Sequence, residues 1–156
     1  MKASIGLTGT HTRNVATELS KILADEFVLY VRTRNAHWNV EGSDFIEKHK
    51  FFESQFEQIN GFIDSVAERI RALGHYTPAT IASYLKLTQL IESNHEKNDS
   101  QGFIKALLRD HECIIAKLRG DIHRFADDWN DAGTSDFITG LMEDHEKMAW
   151  FLRAHL

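Results

Sequence analysis

At 156 residues, with 42% hydrophobic and 26% charged side chains, the chain has the length and balance of one globular domain over residues 1–156, too short for two ordinary ones. A formal charge of -5 argues against a generic nucleic-acid binder, because phosphate recognition rests on clustered Lys and Arg, and it points to cations as partners. No apolar run reaches bilayer length, the start Met1-Lys2-Ala3-Ser4-Ile5-Gly6 has no secretory h-region, and Cys113 is the only cysteine, so a cytoplasmic location without membrane span or internal disulfide is expected.

A single proline, Pro78, leaves room for long helices on either side. The first spans about residues 12 to 39, with an apolar stripe through Leu19, Leu23, Phe27 and Tyr30 that reaches His37, and Asn39 and Gly42 interrupt it. Ser43 is expected to cap a second helix, with Asp44 in its first turn and a seam through Phe52, Phe56, Ile59, Ile63, Val66, Ile70 and Leu73. After Gly74, a connection of about 25 residues holds a short apolar-periodic piece from Ile81 to Ile91, read as a short extra helix in a crossover.

The third long helix begins near Asp99 or Ser100, with a seam through Ile104, Leu108, His111, Ile115, Leu118, Ile122, Phe125 and Trp129. A polar stretch of Asp127, Asp128, Asn130, Asp131 and Gly133 ends it. Thr134 or Ser135 is expected to cap a fourth helix carrying Ile138, Leu141, His145, Met148 and Leu152. The fold class is therefore all-α, a ferritin-like four-helix bundle with one long crossover.

Two features carry chemistry. Asp64 and Glu68 are four apart, so their carboxylates emerge from one helix face, one turn apart, and can hold a cation together. An acidic pair at this spacing is more often a solvated face, but Ile63, Val66 and Ile70 mark this helix as strongly apolar. His37 and His49 supply imidazoles, yet fifteen residues of helix put His49 and Asp64 ~22 Å apart, beyond any shared ion. One site can join them only if the second helix meets its counterpart antiparallel across a two-fold axis, which creates two equivalent sites in a homo-oligomer.

The run Arg34-Asn35-Ala36-His37-Trp38-Asn39-Val40-Glu41-Gly42, then Phe45, His49 and Phe52, the segment Asp64-Ser65-Val66-Ala67-Glu68-Arg69-Ile70-Arg71 and the ending His145-Glu146-Lys147-Met148-Ala149-Trp150-Phe151-Leu152-Arg153 closely resemble the Dps family. The resemblance covers essentially the whole chain. It implies a dodecameric hollow shell that oxidises ferrous iron, preferring hydrogen peroxide as oxidant, and stores the ferric mineral. It implies ferroxidase centres at the two-fold interfaces, with His37 and His49 matching the histidine ligands and Asp64 and Glu68 the neighbour's carboxylates. Two iron ions per site are expected, one held by His37, Asp64 and Glu68 and a second near His49; zinc or manganese could substitute. Trp38 matches an aromatic placed to quench stray radicals, with interface packing as its alternative role.

Other signals receive plainer readings. Glu92-Ser93-Asn94-His95 has the Glu-x-x-His spacing of larger di-iron proteins but sits in the polar crossover and is read as a chance match. His111 and His145 lie on apolar seams and are read as hydrogen-bonded core or interface residues, not metal ligands; Cys113 is read as buried packing. Asp121, Asp127, Asp128, Asp131 and Asp136 are candidates for a cation-entry pore, against the simpler reading of an acidic helix end. Two rival functions stand beside iron storage. DNA compaction finds only Lys2 and Arg13 among the first thirteen residues, so DNA binding is expected to be weak or absent; a metal-free helical interaction protein is the other.

Overall fold

The computed structural model describes residues 3–91 and 98–156; the motif from Glu92 to His95 lies outside them. Helix α1, Gly9–Asn39, starts three residues before the apolar pattern suggests, because the Thr8 side chain accepts a hydrogen bond from the His11 N–H at 3.1 Å and caps the first turn. Leu19, Ile22, Leu23 and Leu29 are wholly buried, while Phe27 and Tyr30 lie half-buried at the edge of the stripe. The chain then turns at Gly42, whose φ of 128° suits a residue without a side chain.

Helix α2, Phe45–Ala72, is preceded by Asp44 and not by Ser43 at the cap position. The Phe45 N–H closes a turn onto the Gly42 carbonyl and the Lys48 N–H bonds the Asp44 carbonyl, so Ser43 falls inside the turn and outside the helix. Gly74, at φ 89°, ends α2: its N–H bonds the Arg71 carbonyl and the His75 N–H bonds Ile70, the two bonds of a Schellman stop.

The crossover contains helix α3, Ile81–Leu87, capped by Thr80. Its Tyr84 ring stacks on Phe27 with centroids 4.5 Å apart, which lays α3 along α1. Asp25, buried in α1, accepts hydrogen bonds from the Thr88 hydroxyl (2.7 Å), the Gln89 N–H (2.8 Å) and the Gln89 side chain (3.0 Å), so one carboxylate grips the end of α3. Arg32 adds a bond to the Ile91 carbonyl at 2.8 Å and pairs with Asp110 at 3.0 Å.

Helix α4, Ser100–His123, is capped by Asp99 through the Gly102 N–H at 2.7 Å. The Glu41 N–H bonds the Asn98 carbonyl at 2.8 Å, fastening the end of α1 to the start of α4. After His123 the helix widens into a π turn over Arg124–Asp128, and Asn130 takes a left-handed φ of 53°, which Asn tolerates as a single residue. Phe125 and Trp129 nevertheless stay buried, their rings edge to face at 5.2 Å, as the seam pattern requires.

Helix α5, Ala132–Arg153, is capped by Asp131 and not by Thr134 or Ser135. The buried Asp131 carboxylate accepts from the Thr134 N–H (2.9 Å) and hydroxyl (2.6 Å), and from Arg69 of α2 at 3.2 Å. The expected cap residues are thus inside the first turn, with Thr134 hydrogen-bonded to the residue that does the capping. Short links make α1–α2 and α4–α5 packed antiparallel pairs, and the crossover joins them. The shared core runs through Phe52, Ile59, Val66 and Ile70 of α2, Phe103, Ile104, Ile114 and Leu118 of α4, and Ile138, Met148 and Leu152 of α5. Each such side chain contributes about 1.5–3 kcal/mol on burial.

Cys113, expected in the core, is exposed on α4. It follows Asp110 and precedes Ile114 on the helix, at the margin of the buried stripe.

Two consequences are measurable. Asp131→Ala removes the α5 cap and the anchor for Arg69, and should lower stability by about 2 kcal/mol in urea titrations at fixed protein concentration. The second concerns Asp110, whose carboxyl is pushed up to about 6 by burial despite Arg32 beside it. The folded state therefore keeps that proton to higher pH than the unfolded chain does, and its contribution to stability fades as pH rises from about 4 to 6. Asp110→Asn should gain about 2 kcal/mol relative to the unsubstituted protein across that window, and an unchanged difference at both ends would refute the assignment.

Candidate metal centre

The last four carbonyls of an α-helix have no partner within it, and His37 contributes one of these in α1. His49, near the start of α2, satisfies it: its Nδ1–H donates to the His37 carbonyl at 2.8 Å. In return the His37 Nδ1–H donates to the His49 carbonyl, also at 2.8 Å. A carbonyl can only accept, so each Nδ1 must carry the proton, and each Nε2 is left with a free lone pair when the ring is neutral. The rings stack with centroids 3.8 Å apart and 22° between planes. Backbone carbonyls thus fix tautomer and orientation, as partners behind metal-binding imidazoles commonly do.

Aromatic rings wall the pair. Phe56 meets His37 edge to face at 5.2 Å, and Phe45 lies 5.2 Å from His49. His37 is buried and His49 half-buried. The Arg34 guanidinium lies over three rings, 4.4 Å from Phe56, 5.0 Å from Trp38 and 5.5 Å from Tyr30. It steadies Trp38, which is otherwise 62% exposed.

Asp64 and Glu68 project from the outer face of α2, both exposed, while Val66 and Ile70 turn into the core. The chain therefore brings the two histidines together and keeps the two acids on one face, but it separates the pairs along α2 by ~22 Å of helix. Among the described residues no cluster of three or more His, Cys, Asp or Glu converges to hold an ion within one chain.

The acidic stretch around the α4–α5 turn divides in two. Asp121 is buried and bonded to Lys117 at 2.6 Å, and Asp131 serves α5 as its cap. Both are structural. Glu18 joins the Lys117 pair: burial alone would raise its carboxyl, but Lys21 and Lys117 together hold it below the ordinary value. Asp127, Asp128 and Asp136 remain exposed.

His111 and His145 are buried and hydrogen-bonded to each other, in keeping with their seam positions. Sequence reasoning missed the carbonyl partners of the two stacked histidines and the Arg34 box. The spacing Tyr30, Arg34, Trp38, each four apart on one helix, was the available signal for the latter.

The Ferritin-like domain family matches residues 16–156. A low temperature-induced protein of Nostoc sp. is 38% identical over 155 residues, covering 99% of this chain and 87% of its own. DNA protection during starvation protein 2 of Bacillus anthracis is 33% identical over 144 residues, covering 92% of this chain and 97% of its own. The solved Dps protein of Vibrio cholerae O1, described as a member of a broad superfamily of ferritin-like diiron-carboxylate proteins, superposes with a TM-score of 0.90 at 30% identity, covering 98% of this chain and 95% of that one.

Proposed function

The chain belongs to the Dps family of ferritin-like proteins, and from that premise we propose that it binds ferrous iron between paired copies, oxidises it with hydrogen peroxide and stores the ferric product inside a hollow, dodecameric shell. The observation that carries this reading is the stacked His37–His49 pair with both Nε2 atoms left free by reciprocal carbonyl bonds. Imidazole pairs fixed in this way suit ferrous iron, zinc or manganese. The missing oxygen ligands are Asp64 and Glu68 of a second copy, brought opposite the histidines when two α2 helices pack antiparallel about a two-fold axis. Each such contact creates two equivalent sites.

Iron is the substrate. Neutral imidazole and two carboxylates favour the ferric state as it forms, because negative oxygen ligands stabilise the added charge. Two ferrous ions each give one electron to a single peroxide; its O–O bond breaks and two hydroxides result, so no hydroxyl radical is released. Hydrolysis of the ferric product then seeds mineral. The exposed Asp127, Asp128 and Asp136 are the acids available to draw cations inward. Trp38, steadied by Arg34, is placed to give up an electron to a stray radical.

Anaerobic loading with ferrous iron followed by peroxide should give rapid oxidation by a species eluting as a large shell. His37→Asn retains a donor near the Nδ1 position but lacks Nε2, and should slow oxidation by about tenfold or more, as should Asp64→Ala. Mixed assemblies of the two variants rebuild one intact site in each mixed pair, so about a quarter of the activity should return on random pairing. Failure of mixing to restore any rate would sink the shared site.

The Bacillus anthracis relative is named for DNA protection. With a formal charge of -5 per chain, direct phosphate binding here is expected to be weak. In a gel shift titrated with salt, plasmid should run free at about 150 mM, and retention there would revive DNA compaction as the primary role.

A further inference from the structure

Three polar side chains meet in the centre of the bundle, away from the stacked histidines: Glu26 of α1, His145 of α5 and His111 of α4, which are 0%, 0% and 1% exposed. His145 lies in the middle. Its Nε2 is 2.8 Å from Glu26 Oε1 and its Nδ1 is 2.9 Å from His111 Nδ1. From the fourth long helix, α2, the Phe62 ring lies 5.2 Å from the His145 ring. Because His145 uses its two nitrogens in opposite directions, the three groups form a chain and not a convergent chelate.

The bond between two Nδ1 atoms holds one hydrogen, since a pair of lone pairs or a pair of N–H groups would repel at 2.9 Å. With Glu26 ionised, His145 Nε2–H donates to it, and the electrically neutral cluster then holds a single imidazolium charge, its hydrogen shared between the two Nδ1 atoms. Burial favours that neutral total, because an unbalanced charge in the core is expensive. A second proton has two possible seats. On His111 it would face the His145 Nδ1 hydrogen directly; on Glu26 Oε2, a buried atom with no hydrogen-bond partner among the described residues, it would cancel the carboxylate that balances the imidazolium. Both leave the core with a net positive charge.

We propose that the Glu26–His145–His111 chain is an acid-sensitive lock on the bundle, stable with one shared proton and broken by a second, which opens the seam between α2 and α5 to water. The route is on the surface side of Phe62. That ring also lines a groove of about 530 Å³ between α2 and α5, floored by Phe62 and Leu141 and flanked by Gly61 and Gly140, whose missing side chains leave open space. Ser65 and Asp144 make its rim polar. Displacing Phe62 joins the groove to the histidines. Burial and the charge of His145 hold His111 well below its ordinary value, which puts the transition on the acid side of neutrality. The lock is independent of iron oxidation, and its opening is measurable without metal.

Hydrogen–deuterium exchange of the assembled, metal-free protein at pH 7.5 and pH 5, corrected for intrinsic rates, reads the lock directly. Peptides spanning His145 in α5 and Phe62 in α2 should exchange about tenfold faster or more at pH 5, while peptides from the first half of α1 should not. His111→Gln keeps an amide that can bond His145 but cannot take the charge, and should reduce the acid response below about twofold. Glu26→Gln removes the counter-charge and should move opening to higher pH. The proposal is overturned if unsubstituted protein shows no local acceleration, if His111→Gln responds as fully as it does, if Glu26→Gln leaves the transition unmoved, or if anomalous scattering finds a cation seated among the three side chains. Should either variant fail to assemble, the unsubstituted protein alone decides.

Discussion

Burying four apolar helical stripes against one another is the constraint on which this structure rests, because a polar group carried into the core along with them is costly unless it finds a partner there. Asp25 meets it by gripping the end of the crossover, Asp131 by capping α5 and receiving Arg69. Lys117 joins Glu18 to Asp121 between α1 and α4. These contacts connect elements far apart in sequence, so the same groups that burial would penalise also fix how the two helical pairs sit together.

Helical rise sets the second limit. A straight α2 cannot fold back to bring Asp64 to His49, so one copy carries the proposed ligand set as two separate halves spaced along a rod. The histidine half is prepared in advance, since the bonds that orient the rings also complete the end of α1. The acidic half needs no such preparation, as two carboxylates one turn apart on a regular helix are already aligned.

Helices, seams and the crossover were legible because apolar spacing reports which face is buried, and Phe52, Ile59, Val66 and Ile70 lie where that spacing puts them. Caps were less legible. Ser43, Thr134 and Ser135 are good capping residues by type, but Gly42 and the buried Asp131 decide where the turns begin, and those choices depend on tertiary contacts. Cys113 was misjudged because residue type favours burial while its neighbours Glu112 and Arg109 mark a solvent edge. Glu26 had a readable signal that composition hides: it stands four residues after Ile22 and three before Leu29, inside the apolar stripe. The reciprocal histidine bonds had none, because backbone carbonyls leave no trace in sequence.

The misjudged cysteine bears on oxidative chemistry. Partial burial, followed by the nearby carboxylates of Asp25 and Asp110, raises the Cys113 thiol above its ordinary range, so little of it is ionised near neutrality. Peroxide attacks the thiolate and hardly the thiol. A reachable sulfur that stays protonated is a bystander, and under the proposed function the chain can carry it on its surface while peroxide reacts elsewhere.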